Sequence, residues 1–585
     1  MLLAALGIPI VAGLFCLPAR RFAGWVAVAG AAITFGLALA IYFNPGALLS
    51  GLDLQYNFLG SAIFVLAALL TLLVSVYSLV YMNGRPRLNE YYSYIIMSLG
   101  LSAGLFFAAN FILMIFFWGA LGVLLYLLIG IDAERGAEAA KKTLLLVGGA
   151  DALMLCGLGL LSALTVTPLI GAVKVQLTSW VAVLSFLFLL VGIMAKTGVV
   201  PFHFWIPAAA ESSPATVMAF LPASLDKLVG IYLLARLCLD VYVMVPNSLL
   251  SITLMLIGSV TILFGVMAAL VQHNMKKLLS FHAVSQVGYM ILGIGSGIPV
   301  AMAGGLFHLI NNALYKNLLF LIAGSVERQT GTDDLRKLGG LAKTMPWTFA
   351  FALIAALSIS GVPPFNGFAS KWLIYLGLLD LGNWGFVWLA AAMFGSALTL
   401  ASFVKIIHAV FLTSSENRTE AVEVHWSMLV PMGIIAVLCV LFGIFAFNLP
   451  LKYLVLPAVP GLTLHGQWNS EGAALLIFGG LVIGLIFYWL GGVGRAIAKP
   501  PYLGGEVLPE AATRVTGVEF YNTIKETEGL EPLYRLSERF SLYDSTVFAV
   551  KWLSSLVRGW HNGFVQNYVA WLLAGFAFVA LILFR

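Results

Sequence analysis

Apolar runs of about twenty residues recur along the whole chain, and few of them carry a charge. A helix needs roughly 20 such residues to cross a hydrocarbon core about 30 Å thick. The runs fall at 2–18, 22–43, 57–82, 91–109, 110–131, 143–165, 178–200, 215–238, 248–271, 278–296, 299–325, 346–378, 384–413, 427–448, 473–493 and 565–584. With 61% hydrophobic and 10% charged residues and a mean hydropathy of +1.01, a set of soluble domains is excluded. The expectation is an all-α polytopic membrane protein. The first residues, Met-Leu-Leu without a basic segment ahead, read as a first span and not as a cleaved signal.

The charges that exist are not spread evenly. With the first residue outside, the odd-numbered runs end inside, beside Arg20, Arg21, Arg85, Arg87, Arg135, Lys141, Lys142, Lys276, Lys277, Arg328, Arg336, Lys337 and Lys343. The opposite loops carry mainly Lys174, Arg236 and Lys452. This asymmetry follows the positive-inside rule and puts the N-terminus outside. The segment 414–425, with Glu416, Glu420 and Glu423 against Arg418, departs from it. The net charge of +6 is small for this length and gives no reason to expect a nucleic-acid partner.

Redox and metal chemistry find little support. Cys16, Cys156, Cys238 and Cys439 are far apart and form no CxxC pair, and the eight histidines show no HExxH spacing. No nucleotide loop or flavin motif is present, so no cofactor is expected. Energy for any transport must then come from partner subunits.

Ionisable residues inside apolar runs are the chemistry-bearing signal, because such groups are costly in hydrocarbon and face a bundle interior or a water path. Lys196 ends the seventh run, Pro201 and Pro207 break the helix after it, and Lys227 lies inside the eighth run. Irregular backbone at that depth must be covered by protein or line a cavity. For Lys196 alone, snorkelling to the interface is the competing reading. Gly198-Val-Val-Pro-Phe-His203 is echoed by Gly361-Val-Pro-Pro-Phe-Asn366 in the twelfth run, where Lys371 follows. Five spans separate the two copies, so the second is upside down, as in transporters built from inverted repeats.

In the eleventh run, His308, Asn312 and Lys316 are spaced i, i+4, i+8 and share one helical face. Histidine titrates near neutrality, so such a stripe can pass protons through bound water. A structural hydrogen-bond network is the equal alternative for Asn312. Lys405 and His408 recur in the thirteenth run, and His282 stands in the tenth beside Ser285 and Gln286. Each of these three is also explained as a satisfied core residue.

The stretches AKTGVVPFHFWIP, HNMKKLLSFHAVSQVGYM, FHLINNALYKNLLFLIAGSV and LSISGVPPFNGFASKW resemble the antiporter-like membrane subunits of respiratory complex I. The same fold occurs in Mrp-type cation/proton antiporters and in energy-converting hydrogenases of the hydrogenase-4 and formate hydrogenlyase kind. The resemblance covers about residues 60–415. It implies about fourteen core helices, two inverted five-helix repeats with a broken helix each, and a chain of buried lysines and histidines. It implies roles for Lys196, Lys227, His308, Lys316 and Lys371 as a proton relay. Other membrane subunits, a peripheral redox module, the bilayer, and protons or sodium are the implied partners, in a prokaryotic cytoplasmic membrane.

The implied segments are N-terminal spans (1–90), two repeat halves (91–240 and 241–415), C-terminal spans (416–500), an interfacial amphipathic stretch (501–564) and a final transmembrane helix (565–585). One departure stands out. The family's fifth helix reads Phe-Trp-Glu, whereas this chain has Phe117-Trp118-Gly119. The acid that pairs with the broken-helix lysine is absent. Asp151, within the sixth run, is the expected replacement, with Asp226 as a second candidate and Glu134 and Glu138 read as loop charges. A proton path, a cation/proton antiporter and a non-pumping scaffold all remain open at this stage.

Overall fold

The computed structural model describes residues 1–45, 53–165, 167, 169–171, 174–413, 421–459, 461–462 and 468–490, with scattered positions from 518 to 576. Two units are distinguished, Met1–Thr527 and Glu528–Arg585. In the second, Ser555 Oγ donates to the Trp552 carbonyl. The expected interfacial stretch and final span, and Glu416 and Glu420, lie outside the described residues apart from those scattered positions.

The described part of the first unit is built of helices joined by loops and breaks. Three helices open it: α1 (Leu2–Cys16), α2 (Ala23–Phe43) and α3 (Phe58–Tyr81). Next come α4 (Leu88–Phe106), α5 (Phe111–Ile129), α6 (Ala133–Leu164) and α7 (Trp180–Thr197). A break separates α7 from the short α8 (Trp205–Ser212). The next span is α9 (Ala215–Phe220), a wide turn at Leu221–Leu225, and α10 (Asp226–Arg236). Then follow α11 (Leu249–Leu270), α12 (Met275–Gly295) and α13 (Pro299–Thr330). A second break divides α14 (Pro346–Ser360) from α15 (Asn366–Leu379), and α16 (Gly385–Ile407), α17 (Trp426–Ile444) and α18 (Ser470–Leu490) complete the described part.

Twelve helical stretches among the described residues are long and apolar enough to cross a membrane. The chain is an integral, multi-span membrane protein. Several helix starts are marked by a side-chain cap: Asn57, Asn110, Ser179, Ser248 and Asn274 each accept from a main-chain N–H of the helix they open. Fifteen of the expected runs coincide with described helices, but two helices extend well past them. α6 starts ten residues before its apolar run, so Glu134 and Glu138 are helical and not loop charges. Glu138 pairs with Lys142 one turn on, at 2.7 Å, which supports a solvated helix end.

The basic loops gather at one end of the bundle. There Lys277 pairs with Glu211 at 2.6 Å, Lys276 with Glu327 at 3.0 Å, and Arg328 donates to the Tyr81 carbonyl. In the loop after α13, Arg336 holds the Asp334 carboxyl below its ordinary range through hydrogen bonds to both of its oxygens. α7 runs towards this basic end and α14 runs away from it, so the two broken helices have opposite senses. The long α13 lies between the halves and is buried over most of its length.

Candidate functional site

Both breaks are built alike. Gly198 and Gly361 adopt φ +74° and +78°, the left-handed conformation that glycine tolerates at a helix C-terminus. In each copy the peptide before the fourth residue, Pro201 or Pro364, is cis. The ends of α7 and α14 therefore leave main-chain carbonyls pointing into the protein interior, and these need donors.

Lysines supply several of them. Lys227 Nζ donates to the Thr197 carbonyl at the end of α7, at 3.2 Å. Lys371 Nζ donates to the Ile359 carbonyl at the end of α14, at 3.0 Å. Lys405 Nζ donates to the Leu270 and Gln272 carbonyls at the end of α11, both at 2.8 Å. A cation is favoured where helix carbonyls converge. Trp205 Nε1 completes the first break by donating to the Ala195 carbonyl at 2.9 Å. Among the described residues, no carboxylate lies within ion-pair distance of Lys196, Lys227, Lys316 or Lys371.

Lys196 is fully buried on the last turn of α7. Its Nζ donates to the Trp118 carbonyl at 2.6 Å and stands 4.2 Å from the centre of the Trp118 ring. Trp118 Nε1 in turn donates to Asp151 Oδ1 at 2.7 Å. Asp151 thus meets Lys196 through one tryptophan and not by direct contact. A Cβ added at Gly119 would meet nothing within 4 Å, so the position of the family's missing acid has room beside it. Asp226 is buried next to Lys227, and its Oδ2 has no partner among the described residues.

The line continues across the wide turn at Leu221–Leu225, where Pro222 lacks an N–H and the helix opens by one residue. Lys316 lies close enough to Lys227 for the two charges to interact, and its Nζ donates to the Leu279 carbonyl at 2.8 Å. His282 faces Ser402 Oγ through Nε2 at 2.7 Å and lies within electrostatic reach of Lys316 and Lys371. Asn312, on the same stripe, reaches back to the Ala223 carbonyl at 3.4 Å.

His308 is the branch point. Nε2 has the acceptor Gln286 Oε1 at 3.2 Å and Tyr315 OH at 3.3 Å; in the tautomer that donates from Nε2 to the glutamine, Nδ1 is the acceptor. Nδ1 faces Ser370 Oγ at 2.9 Å. Ser370 Oγ is also 3.1 Å from the Gly367 carbonyl. When the ring is neutral the hydroxyl donates to Nδ1; when the ring is charged it accepts from Nδ1 and donates to Gly367. The site accommodates both states with one hydroxyl rotation. Tyr315 OH closes the group against the same glutamine.

The structure therefore strings Lys196, Lys227, Lys316, His282, His308 and Lys371 through the bundle interior. Asp151 hangs at one end through Trp118. Lys405 caps a helix nearer the basic end. His408 is half-buried in the last turn of its span, where Nδ1 meets Thr413 Oγ1 at 3.0 Å. Sequence reasoning missed Trp118, Gln286 and Ser370 as connecting groups. Their signal is weak: each is a polar atom in an apolar run, one or two positions from a residue already singled out or, for Gln286, four from His282.

Residues 108–399 match the family described as NADH:quinone oxidoreductase/Mrp antiporter, TM. NADH-quinone oxidoreductase subunit N of Desulforudis audaxviator is 32% identical over 417 residues, 68% of this chain and 82% of that protein. The Na(+)/H(+) antiporter subunit A1 of Staphylococcus saprophyticus is 31% identical over 438 residues, 70% of this chain and 53% of that protein. The chain thus spans about half the length of the antiporter subunits it matches. A subunit in the solved structure of the membrane-bound sulfane sulfur reductase, an archaeal respiratory membrane complex, superposes over all of both chains with a TM-score of 0.85 and 25% identity. The chain belongs to the NADH:quinone oxidoreductase/Mrp antiporter membrane-subunit family.

Proposed function

We propose that this chain is a proton-translocating, antiporter-like subunit of a multi-subunit, redox-driven membrane complex. The observation that carries the reading is the line of buried lysines held by main-chain oxygens and not locked in ion pairs, with two histidines held by side-chain groups among them. A lysine so held remains free to exchange its proton with its neighbours. Protons pass along Lys196, Lys227, Lys316 and His308 to Lys371. Buried polar atoms without a hydrogen-bond partner among the described residues, on Asn311, Asn312 and Asn366, flank that line and offer positions for bound water.

Moving one charge against 100 mV costs about 2.3 kcal/mol. That equals about 1.7 pKa units at a single site. Partner subunits must supply this energy, through a peripheral redox module coupled to neighbouring membrane subunits. The setting we propose is a prokaryotic cytoplasmic membrane with the N-terminus outside and the basic loops inside.

A cation/proton antiporter is the second reading, favoured by the likeness to the Na(+)/H(+) antiporter subunit A1. The deciding measurement is proton uptake in sealed vesicles containing the intact complex, comparing the native chain with Lys227→Ala, with and without sodium. Loss of uptake with electron transfer retained supports a proton path. Dependence on sodium favours the antiporter. Unchanged uptake leaves a scaffold role.

A further inference from the structure

The relay described so far ends at Lys371, still inside the bundle. Lys371 Nζ stands over the Tyr289 ring, 4.7 Å from its centre. From there a file of hydroxyls leads away. Tyr289 OH is 2.9 Å from Ser396 Oγ, and Ser396 Oγ is 2.7 Å from Tyr375 OH. Tyr289 OH also has the Ala392 carbonyl at 2.8 Å as a second acceptor. Gly395 makes the approach possible, since a Cβ there would come within 3.0 Å of Tyr289 OH and 2.2 Å of Ile262.

The direction of the file is set by the helices. Tyr375 lies one turn beyond Lys371 on α15, nearer the end opposite the basic loops. Tyr289 lies in the last third of α12, which ends on that same side. Tyr375 and Ser396 are half-buried whereas Tyr289 is fully buried, so the file runs from the interior towards the lateral face of the bundle. Towards the helix ends, Met255, Leu292, Leu378 and Leu381 close over it as a separate apolar cluster.

We propose that Tyr289, Ser396 and Tyr375 form the outward limb of the proton path; this rests on the relay reading above. A bound water spans Lys371 and Tyr289 OH. Each hydroxyl accepts a proton on its oxygen as it releases its own to the next, so none keeps a net charge. Tyr289 then resets by turning the hydrogen it received from the Lys371 side back to Ser396 Oγ, with the Ala392 carbonyl as an intermediate acceptor. A file of neutral hydroxyls suits this stretch, because it conducts protons without placing another buried charge beside Lys371.

The test is proton uptake per electron by the intact complex in sealed vesicles, with Tyr375→Phe, Ser396→Ala, Ser396→Thr and Lys371→Ala compared. The phenylalanine and alanine variants keep the packing and remove only a hydroxyl. We expect both to slow uptake on the order of tenfold or more, and Ser396→Thr to restore it. Native uptake in Tyr375→Phe and Ser396→Ala with loss in Lys371→Ala overturns the limb and leaves the relay standing. Native uptake in Lys371→Ala as well overturns the relay, and the limb with it.

Discussion

Lys227 reaches from α10 to the main-chain oxygen of Thr197, the residue that follows Lys196. One bond therefore joins two members of the proton line through a helix end. An arginine placed here keeps the charge but does not release a proton in proteins. Lys227→Arg should abolish proton uptake as fully as Lys227→Ala, while its thermal midpoint stays closer to native. Uptake retained by the arginine variant would show that only the charge matters.

Asp151 is the acid nearest to Lys196 through Trp118. Asp151→Asn keeps an oxygen that can accept from Trp118 Nε1 and removes the charge. Uptake should fall in this variant without loss of assembled complex. Because Gly119 has open space for a side chain, Gly119→Glu added to Asp151→Asn should recover a substantial part of it. Full activity of Asp151→Asn alone would show that Asp151 is not the acid that serves Lys196.

Ser370 matters for switching His308 and not for holding it. Ser370→Ala removes one neutral hydrogen bond and leaves the buried His308 Nδ1 unpaired, a cost of about 1–3 kcal/mol, so the complex should still assemble, with a modestly lower melting temperature. Proton uptake should fall much further than stability. Equal, small effects on both would assign Ser370 to packing.

The second break is tightly packed. A Cβ on Gly367 would lie 1.8 Å from the Ser358 carbonyl oxygen, a backbone atom that cannot swing away. Gly367→Ala should destabilise the subunit by about 1–3 kcal/mol, the usual cost of overpacking. A thermal-shift assay on the detergent-solubilised complex reads this directly. Gly119→Ala, with nothing within 4 Å, is the matched control.

Asp334 gives a pH-dependent contribution outside the membrane. Its folded-state pKa lies below its ordinary value of 3.8 because Arg336 donates to it. The stabilisation is present above the unfolded value and is lost as pH falls through the folded one. The difference in melting temperature between native and Asp334→Asn should be constant near neutrality and shrink only below about pH 4. A gap that widens on acidification would contradict this.

Much of the design was legible in the order of residues because the bilayer makes a charge expensive. Lys196, Lys227, His308, Lys316 and Lys371 stand out in apolar runs, and the prolines after Lys196 and before Lys371 mark the breaks. The basic start of α6 was not legible, because a solvated helix end held by Glu138 and Lys142 looks like a loop when hydrophobicity is the guide. Nor were Trp118, Gln286 and Ser370. A tryptophan or serine in an apolar helix is ordinary, and only packing shows which ring or hydroxyl touches a lysine or histidine. Asp151 was legible as an acid within a span, but its indirect link to Lys196 depends on where Trp118 turns.

The bond between Lys371 and the end of α14 has a mechanical side. Thermodynamic coupling is reciprocal. If gaining or losing a proton at Lys371 alters that bond, then pulling the end of α14 alters the affinity of Lys371 for its proton by the same free energy. A neighbouring subunit that tugs on the outer end of this half-helix would titrate a buried amine without touching it.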